Sequence, residues 1–272
     1  MENLKNENQF KTAYEKAAEE GIDPRCIPQK LIESVPEGDS IDYPNYCSED
    51  QETWQILYSK QIELLQGRVC KEYLDGAALM RFSENKIPSL KVLSSILKQT
   101  SNWAVARVPG LIHEENFFEF LRRRVFPSTD YIRGRHEIDY TPAPDLFHDI
   151  FGHMPLLTNK NFANFYEMFG KAALNAKAEQ HIFLERFHWF TVEFGLIKQP
   201  EGNKIYGAGI ISSKNEVQHA LSNEVKVIPF DPEKIIKQEY EVWHLQPLLF
   251  VIDSFEQLEE GFKEWIQKEG LI

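Results

Sequence analysis

The sequence predicts a mostly α-helical domain with minor β structure, an α+β fold. Apolar residues recur at helical spacing through most of the 272-residue chain, strand-like runs are few and short, and a 42% hydrophobic, 12% aromatic composition supplies a sizeable core. Residues 4–20 are expected to form a polar helix. The proline-rich stretch 24–46 is an extended arm, so residues 1–50 form an N-terminal arm packed on one domain of residues 51–272. Ser48-Glu-Asp-Gln51 is a candidate capping box. Behind it Trp54, Leu57, Tyr58, Leu64 and Leu65 mark one face of a helix ending near Gly67. Further helices are expected at 71–82, 89–99, 114–124, 161–180 and 182–197. Strands are expected at 204–211, 225–230 and 249–252, and a closing helix at 255–268.

Composition excludes several classes of function. Net charge is −12, which argues against a partner held through phosphates. The basic trio Arg122-Arg123-Arg124 follows an aromatic run and reads as a solvated helix end. Cys26, Cys47 and Cys70 form no metal or disulfide pattern, which fits reduced thiols in the cytoplasm. The N-terminus shows no apolar signal region, and no apolar run approaches the roughly 18 residues of a membrane span.

The chemistry concentrates in Pro144-Asp-Leu-Phe-His148-Asp-Ile-Phe-Gly-His153-Met-Pro155. Forty residues past His153, Thr191-Val-Glu193-Phe-Gly195 sets a lone carboxylate among apolar neighbours. Two histidines and one carboxylate make the facial triad of non-haem Fe(II) oxygenases, which leaves metal positions open for oxygen and a reductant. On an ideal helix a spacing of five puts the second imidazole roughly 140° from the first, which is poor for one metal. Pro155 disfavours helical geometry at Met154 and Gly152 lets the last turn unwind, so His153 is expected at the frayed end of a helix carrying His148. Thr141 or Asp145 caps its start.

Alternatives stand beside this reading. Either histidine could be an ordinary core or surface residue. Glu193 needs a cation, a metal or a proton if buried, and a structural Arg or Lys would serve. A zinc hydrolase also uses two His and a Glu, but its His-Glu-x-x-His pattern differs here: the second His stands one residue too far, and Asp149 replaces the Glu.

These blocks are not alone. Val108-Pro-Gly110-Leu-Ile112, Tyr131-Ile-Arg133, Tyr140-Thr-Pro-Ala-Pro-Asp145, Trp189-Phe-Thr-Val-Glu193-Phe-Gly-Leu196, Tyr206-Gly-Ala-Gly-Ile-Ile-Ser-Ser213 and Gln246-Pro-Leu248 follow in order. Together they resemble the catalytic domain of the pterin-dependent aromatic amino acid hydroxylases over roughly residues 100–255. The resemblance implies a single catalytic domain of that kind without a regulatory or tetramerisation domain, as a monomer or homodimer. It implies hydroxylation of L-phenylalanine to L-tyrosine with Fe(II), O2 and a tetrahydropterin, or of tyrosine or tryptophan by the same mechanism. His148, His153 and Glu193 are then the iron ligands. Gly110, Leu111, Ile112, Phe117 and Asp149 border the pterin.

The same resemblance gives Arg133, Thr141, Pro144, Asp145, Trp189, Gly209 and Ser212 to the amino acid. Arg133 takes its carboxylate, with Asp145 holding the guanidinium, although Arg135 competes for that role. His188 stands where many animal members carry Tyr, and Pro127 where a pterin-side His is usual. Tryptophan hydroxylases tend to have Phe at Trp189, and tyrosine hydroxylases an Asp near Val242, so both positions favour phenylalanine.

Overall fold

Every element surrounding the histidine motif converges on it from a different part of the chain. The computed structural model describes residues 23–272 apart from Tyr140, Ala178 and Trp243. The helix expected at 4–20 lies outside them. Helix α1 (Ser48–Leu65) is capped one residue earlier than the motif suggests: Cys47 is the N-cap, and the Asp50 carboxylate accepts from the Cys47 N–H at 2.8 Å. Gly67, at φ +71°, turns the chain away at its end. Helices α2 (Lys71–Met80) and α3 (Leu90–Ser101) follow as the spacing predicts.

The next segment sets the helix expected at 114–124 between two strands that the sequence did not announce. Strand β1 (Ala104–Val108), helix α4 (Glu114–Arg122) and strand β2 (Val125–Thr129) form a parallel β-α-β arrangement. All of β2 is buried, so its side chains show no alternation to betray a strand. Pro127 is tolerated because, among the described residues, β2 pairs with β1 alone. Residues of the arm pair with the loop after β1: the Gln29 N–H donates to Leu111 O and the His113 N–H to Gln29 O, each at 2.9 Å.

After the histidine segment come α5 (Lys160–Asn175) and α6 (Glu179–His188). The helix expected at 182–197 is not continuous. Past His188 it widens into a π turn over Trp189–Glu193, and Leu196–Gln199 is strand β3. Gly195 is the reason: a Cβ there would lie 2.1 Å from Tyr206 Cζ and 2.4 Å from Thr191 O, so the chain folds tightly back on itself. The strand expected at 204–211 is likewise shorter. Strand β4 (Gly202–Ile205) pairs antiparallel with β3, and Ala208–Ile211 is a short helix, α7. Helix α8 (Lys214–His219), strand β5 (Lys226–Pro229), helix α9 (Pro232–Ile235), strand β6 (Leu248–Ile252) and helix α10 (Phe255–Lys268) complete the order. The larger sheet runs β4-β3-β6-β5, with β6 parallel to both neighbours.

Aromatic side chains bind α5, α6 and α10 together. Phe262 meets Phe165 at 5.0 Å and Phe187 at 4.8 Å between ring centres, and Phe187 stacks on Trp265 at 5.7 Å. Each such buried ring contributes about 1.5–3 kcal/mol. No described helix is long and apolar enough to cross a membrane.

Helix α2 rests directly on the end of the histidine segment through Gly76, where a Cβ would sit 2.0 Å from Pro155 O. A backbone oxygen yields little, so Gly76→Ala is expected to destabilise the protein by about 1–3 kcal/mol, read as a lowered midpoint in denaturant unfolding of the metal-free protein.

Candidate metal centre and its cavity

The spacing of five resolves through helix geometry rather than fraying. Asp145 begins the segment, its Oδ1 accepting from the His148 N–H at 3.1 Å, while the Thr141 hydroxyl donates to Ala143 O instead. From His148 to His153 the backbone is π-helical. A π turn closes i to i+5, so residues five apart come round to one side. Two expectations therefore fail. Met154 keeps helical angles, φ −62° and ψ −35°, despite Pro155. Gly152 does not unwind the turn; its missing Cβ admits the backbone of α7, since a Cβ there would lie 3.0 Å from Ala208 O. Tyr73 on α2 pins the turn by donating to Phe151 O at 2.8 Å.

Glu193 arrives from the second π turn, whose wide bond runs from the Phe194 N–H to Trp189 O at 2.9 Å. The turn leading into α7 presses close: a Cβ on Gly207 would meet Glu193 O at 2.3 Å. The result is a tight convergence. His148 Nε2 and His153 Nε2 lie 2.9 Å apart, and the Glu193 carboxylate lies 3.3 Å from His153 Nε2 and 3.7 Å from His148 Nε2. Among the described residues no Arg or Lys reaches Glu193, which removes the structural ion-pair alternative.

The tautomer of His148 follows from its partners. The Ser212 hydroxyl donates its one proton to Ala208 O at 2.8 Å, so it accepts from His148 Nδ1–H at 2.8 Å. That leaves the lone pair on Nε2, facing the other donors. Burial lowers the His148 pKa to about 4, so the ring is neutral at physiological pH. Burial also pulls His153 down, but Glu193 outweighs it and leaves that imidazole above its ordinary value. For Glu193, burial favours the protonated form, yet His153 and His148 outweigh it and hold the carboxyl well below the usual range. Two imidazoles and an ionised carboxylate with facing lone pairs fit a divalent cation such as iron or zinc. Asp149 also brings an oxygen within 4.8 Å of a nitrogen on each imidazole, but its Oδ2 is engaged by the Thr129 N–H at 2.7 Å. Burial pushes the Asp149 carboxyl up to about 7.

The donors open onto a cavity of about 500 Å³. Gly110, Leu111, Ile112, Phe117 and Asp149 line it, as do Arg133, Thr141, Pro144, Trp189, Gly209 and Ser212. Asp145 is fully buried behind Arg133 instead, and grips it from Nε and Nη2 at 2.9 Å each. Arg135 points away to pair with Glu52 on the surface, so among the described residues Arg133 is the arginine that presents a guanidinium here. Trp189 stacks on Tyr240 at 4.3 Å.

The sequence reading left four contributors unassigned. Tyr166 shares a 3.0 Å hydrogen bond with His188 Nε2, whose Nδ1 lies 3.9 Å from Glu193. Thr129 holds Asp149, Phe126 packs on the His153 ring at 5.2 Å, and Glu216 stands in the wall. Nothing in their local pattern separates them from core aromatics or a solvated helix face.

Comparison with known proteins agrees with this geometry. A family model described as biopterin-dependent aromatic amino acid hydroxylase matches residues 25–269. A phenylalanine-4-hydroxylase of Pseudomonas aeruginosa is 40% identical over 220 residues, covering 81% of this chain and 84% of its own. The apo structure of a cold-active phenylalanine hydroxylase from Colwellia psychrerythraea 34H superposes with a TM-score of 0.81 at 38% identity, covering 86% of this chain and 91% of its own. The Chromobacterium violaceum phenylalanine hydroxylase with bound iron(III) and 7,8-dihydrobiopterin gives a TM-score of 0.80 at 41% identity, covering 84% and 85%. With the family model spanning nearly the whole described chain, the protein belongs to the biopterin-dependent aromatic amino acid hydroxylases.

Proposed function

We infer that the protein is a phenylalanine 4-monooxygenase, converting L-phenylalanine to L-tyrosine with Fe(II), O2 and a tetrahydropterin. The convergence of His148, His153 and Glu193 within 2.9–3.7 Å of one another, in the wall of an aromatic cavity, carries the reading. These three side chains would hold the iron. Bound ferrous iron, with the pterin as electron donor, supplies the O2 activation that protein side chains lack. The names of the Pseudomonas and Chromobacterium relatives support phenylalanine as the substrate. The iron and dihydrobiopterin in the Chromobacterium structure support the cofactors.

The remaining residues bind, orient and exclude water. Arg133, pre-set by Asp145, offers its fork to the amino acid carboxylate. Trp189, Pro144, Thr141 and Gly209 would shape the slot for the ring, with Ser212 fixing the His148 tautomer beside it. Gly110, Leu111, Ile112 and Phe117 would form the pterin wall, with Asp149 facing the same space. Apolar walls keep bulk water from the reacting centre. A zinc hydrolase needs a free general base beside the metal, and Asp149, the residue in that position, is tied to the Thr129 backbone. Cytoplasmic residence fits three free cysteines, and the net charge of −12 fits the absence of a nucleic-acid partner.

Two substitutions test the assignment. His148→Ala is expected to abolish stoichiometric iron uptake, measured by elemental analysis after reconstitution, together with tyrosine formation; full turnover in that variant would remove the ligand assignment. Arg133→Ala should raise KM for phenylalanine roughly 10- to 100-fold, the worth of a charge-assisted hydrogen bond, with little change in KM for the pterin. Equal effects on both would argue against a carboxylate clamp.

A further inference from the structure

The cavity contains a charged group that neither the metal donors nor the Arg133 clamp explains. Glu216, on α8, is 7% exposed and lines the wall along with Ser212 and Ser213. Its Oε1 accepts from the Gln246 N–H at 3.3 Å. Its Oε2 is buried with no hydrogen-bond partner, and no cationic side chain pairs with it among the described residues. The other acidic residues of the wall are occupied. Asp149 accepts from Thr129, Glu193 faces the imidazoles, Glu185 accepts from the Tyr240 hydroxyl, Glu114 approaches His181 at 4.0 Å and Asp139 approaches Lys60 at 3.7 Å.

Glu216 is also held firmly in place. Gln246, which fixes its Oε1, accepts from the Trp189 indole N–H at 3.0 Å and donates from Nε2 to Glu241 O and His244 O at 2.9 and 2.8 Å. One glutamine thus positions both a cavity-wall aromatic and this carboxylate. An ionised carboxylate buried without a partner is costly, so such a group holds a proton or awaits a cation. Burial pushes the Glu216 carboxyl up to about 7, against a smaller opposing pull from the Gln246 N–H, so an arriving cation would readily hold it ionised.

We propose that Glu216 binds the α-ammonium group of the amino acid substrate, in the cavity that the Arg133 carboxylate clamp also lines. The assignment rests on reading the cavity as an amino acid site. A zwitterion entering an apolar cavity sheds water from two charges, and each needs an opposite charge waiting. Arg133 answers the carboxylate. Among the described residues of the wall, Glu216 carries the one buried carboxylate oxygen without a hydrogen-bond partner.

The test compares L-phenylalanine with 3-phenylpropionate, which keeps ring and carboxylate but lacks the ammonium. Binding to the Fe(II)-loaded enzyme is measured by titration calorimetry, and KM by turnover with a tetrahydropterin. Wild-type enzyme should bind 3-phenylpropionate at least roughly 10-fold more weakly than phenylalanine; equal binding overturns the proposal without recourse to any variant. Glu216→Gln keeps the size of the side chain and an acceptor for Gln246. It should weaken phenylalanine roughly 10- to 100-fold while leaving 3-phenylpropionate and the pterin KM unchanged, and Glu216→Asp should recover part of the loss. Equal weakening of both ligands would mean a structural role and would overturn the assignment, as would an unchanged phenylalanine Kd. Arg133→Ala serves as the control, because it should weaken both ligands. A wild-type enzyme that binds no aromatic amino acid would sink the functional reading itself, and this inference with it.

Discussion

A single buried carboxylate, Asp145, ties the two sides of the site together. One oxygen accepts from Arg133 N–H and Nε–H, and the other accepts from Arg133 Nη2–H and from the His148 N–H that opens the π turn of the two histidines. The guanidinium is 6% exposed and the carboxylate fully buried. Leaving either charge unpaired in such a place costs roughly 3–5 kcal/mol. The pair therefore behaves as one rigid piece, fixing the distance between the group that would grip the substrate and the imidazole that would grip the metal. Catalysis by positioning requires this kind of rigidity, because a misplacement of about 1 Å weakens it severely.

The π turns follow the same logic. An α-helical winding would send His153 to the far side of its helix from His148. Widening the turn brings the imidazole nitrogens to 2.9 Å, and the packing of Gly152 against α7, with Tyr73 on Phe151 O, holds that winding in place. Glu193 comes from a second widened turn whose neighbours, Gly195 and Gly207, admit backbone where no side chain would fit. Widened turns of this kind persist where the surrounding packing holds them, and they are frequent at functional sites.

Much of this was legible in the sequence. Long amphipathic helices such as α1 and α10 announce themselves by period, and the two histidines and the isolated Glu193 announce themselves by chemistry. The misses have physical causes. The β1-α4-β2 unit is short and its second strand wholly buried, so it carries no alternation and even contains Pro127. The helix read through to residue 197 looked continuous because Trp189–Glu193 keeps an apolar helical composition, whereas the close approach of Tyr206 at Gly195 is a tertiary fact. The role of Gly152 was misjudged for a similar reason: its need is set by Ala208, far along the chain. Glu216 left no trace, since a carboxylate on a short helix looks solvated until its burial is seen.

The β1-α4-β2 unit has a wider consequence. Val108, Gly110, Leu111, Ile112, Phe117, Phe126, Pro127 and Thr129 all belong to it or its connections, and all face the cavity. None supplies a metal donor. One contiguous stretch of about twenty residues thus carries most of the wall on one side, while the donors and the guanidinium belong to later segments. Among the described residues of that stretch, Val108, Gly110, Leu111 and Ile112 make no hydrogen bond or ring contact with the candidate metal donors, whereas Phe126 packs on the His153 ring and Thr129 holds Asp149. Changes at the first four positions would therefore reshape one wall of the cavity while leaving the donor atoms where they are; changes at the last two would not.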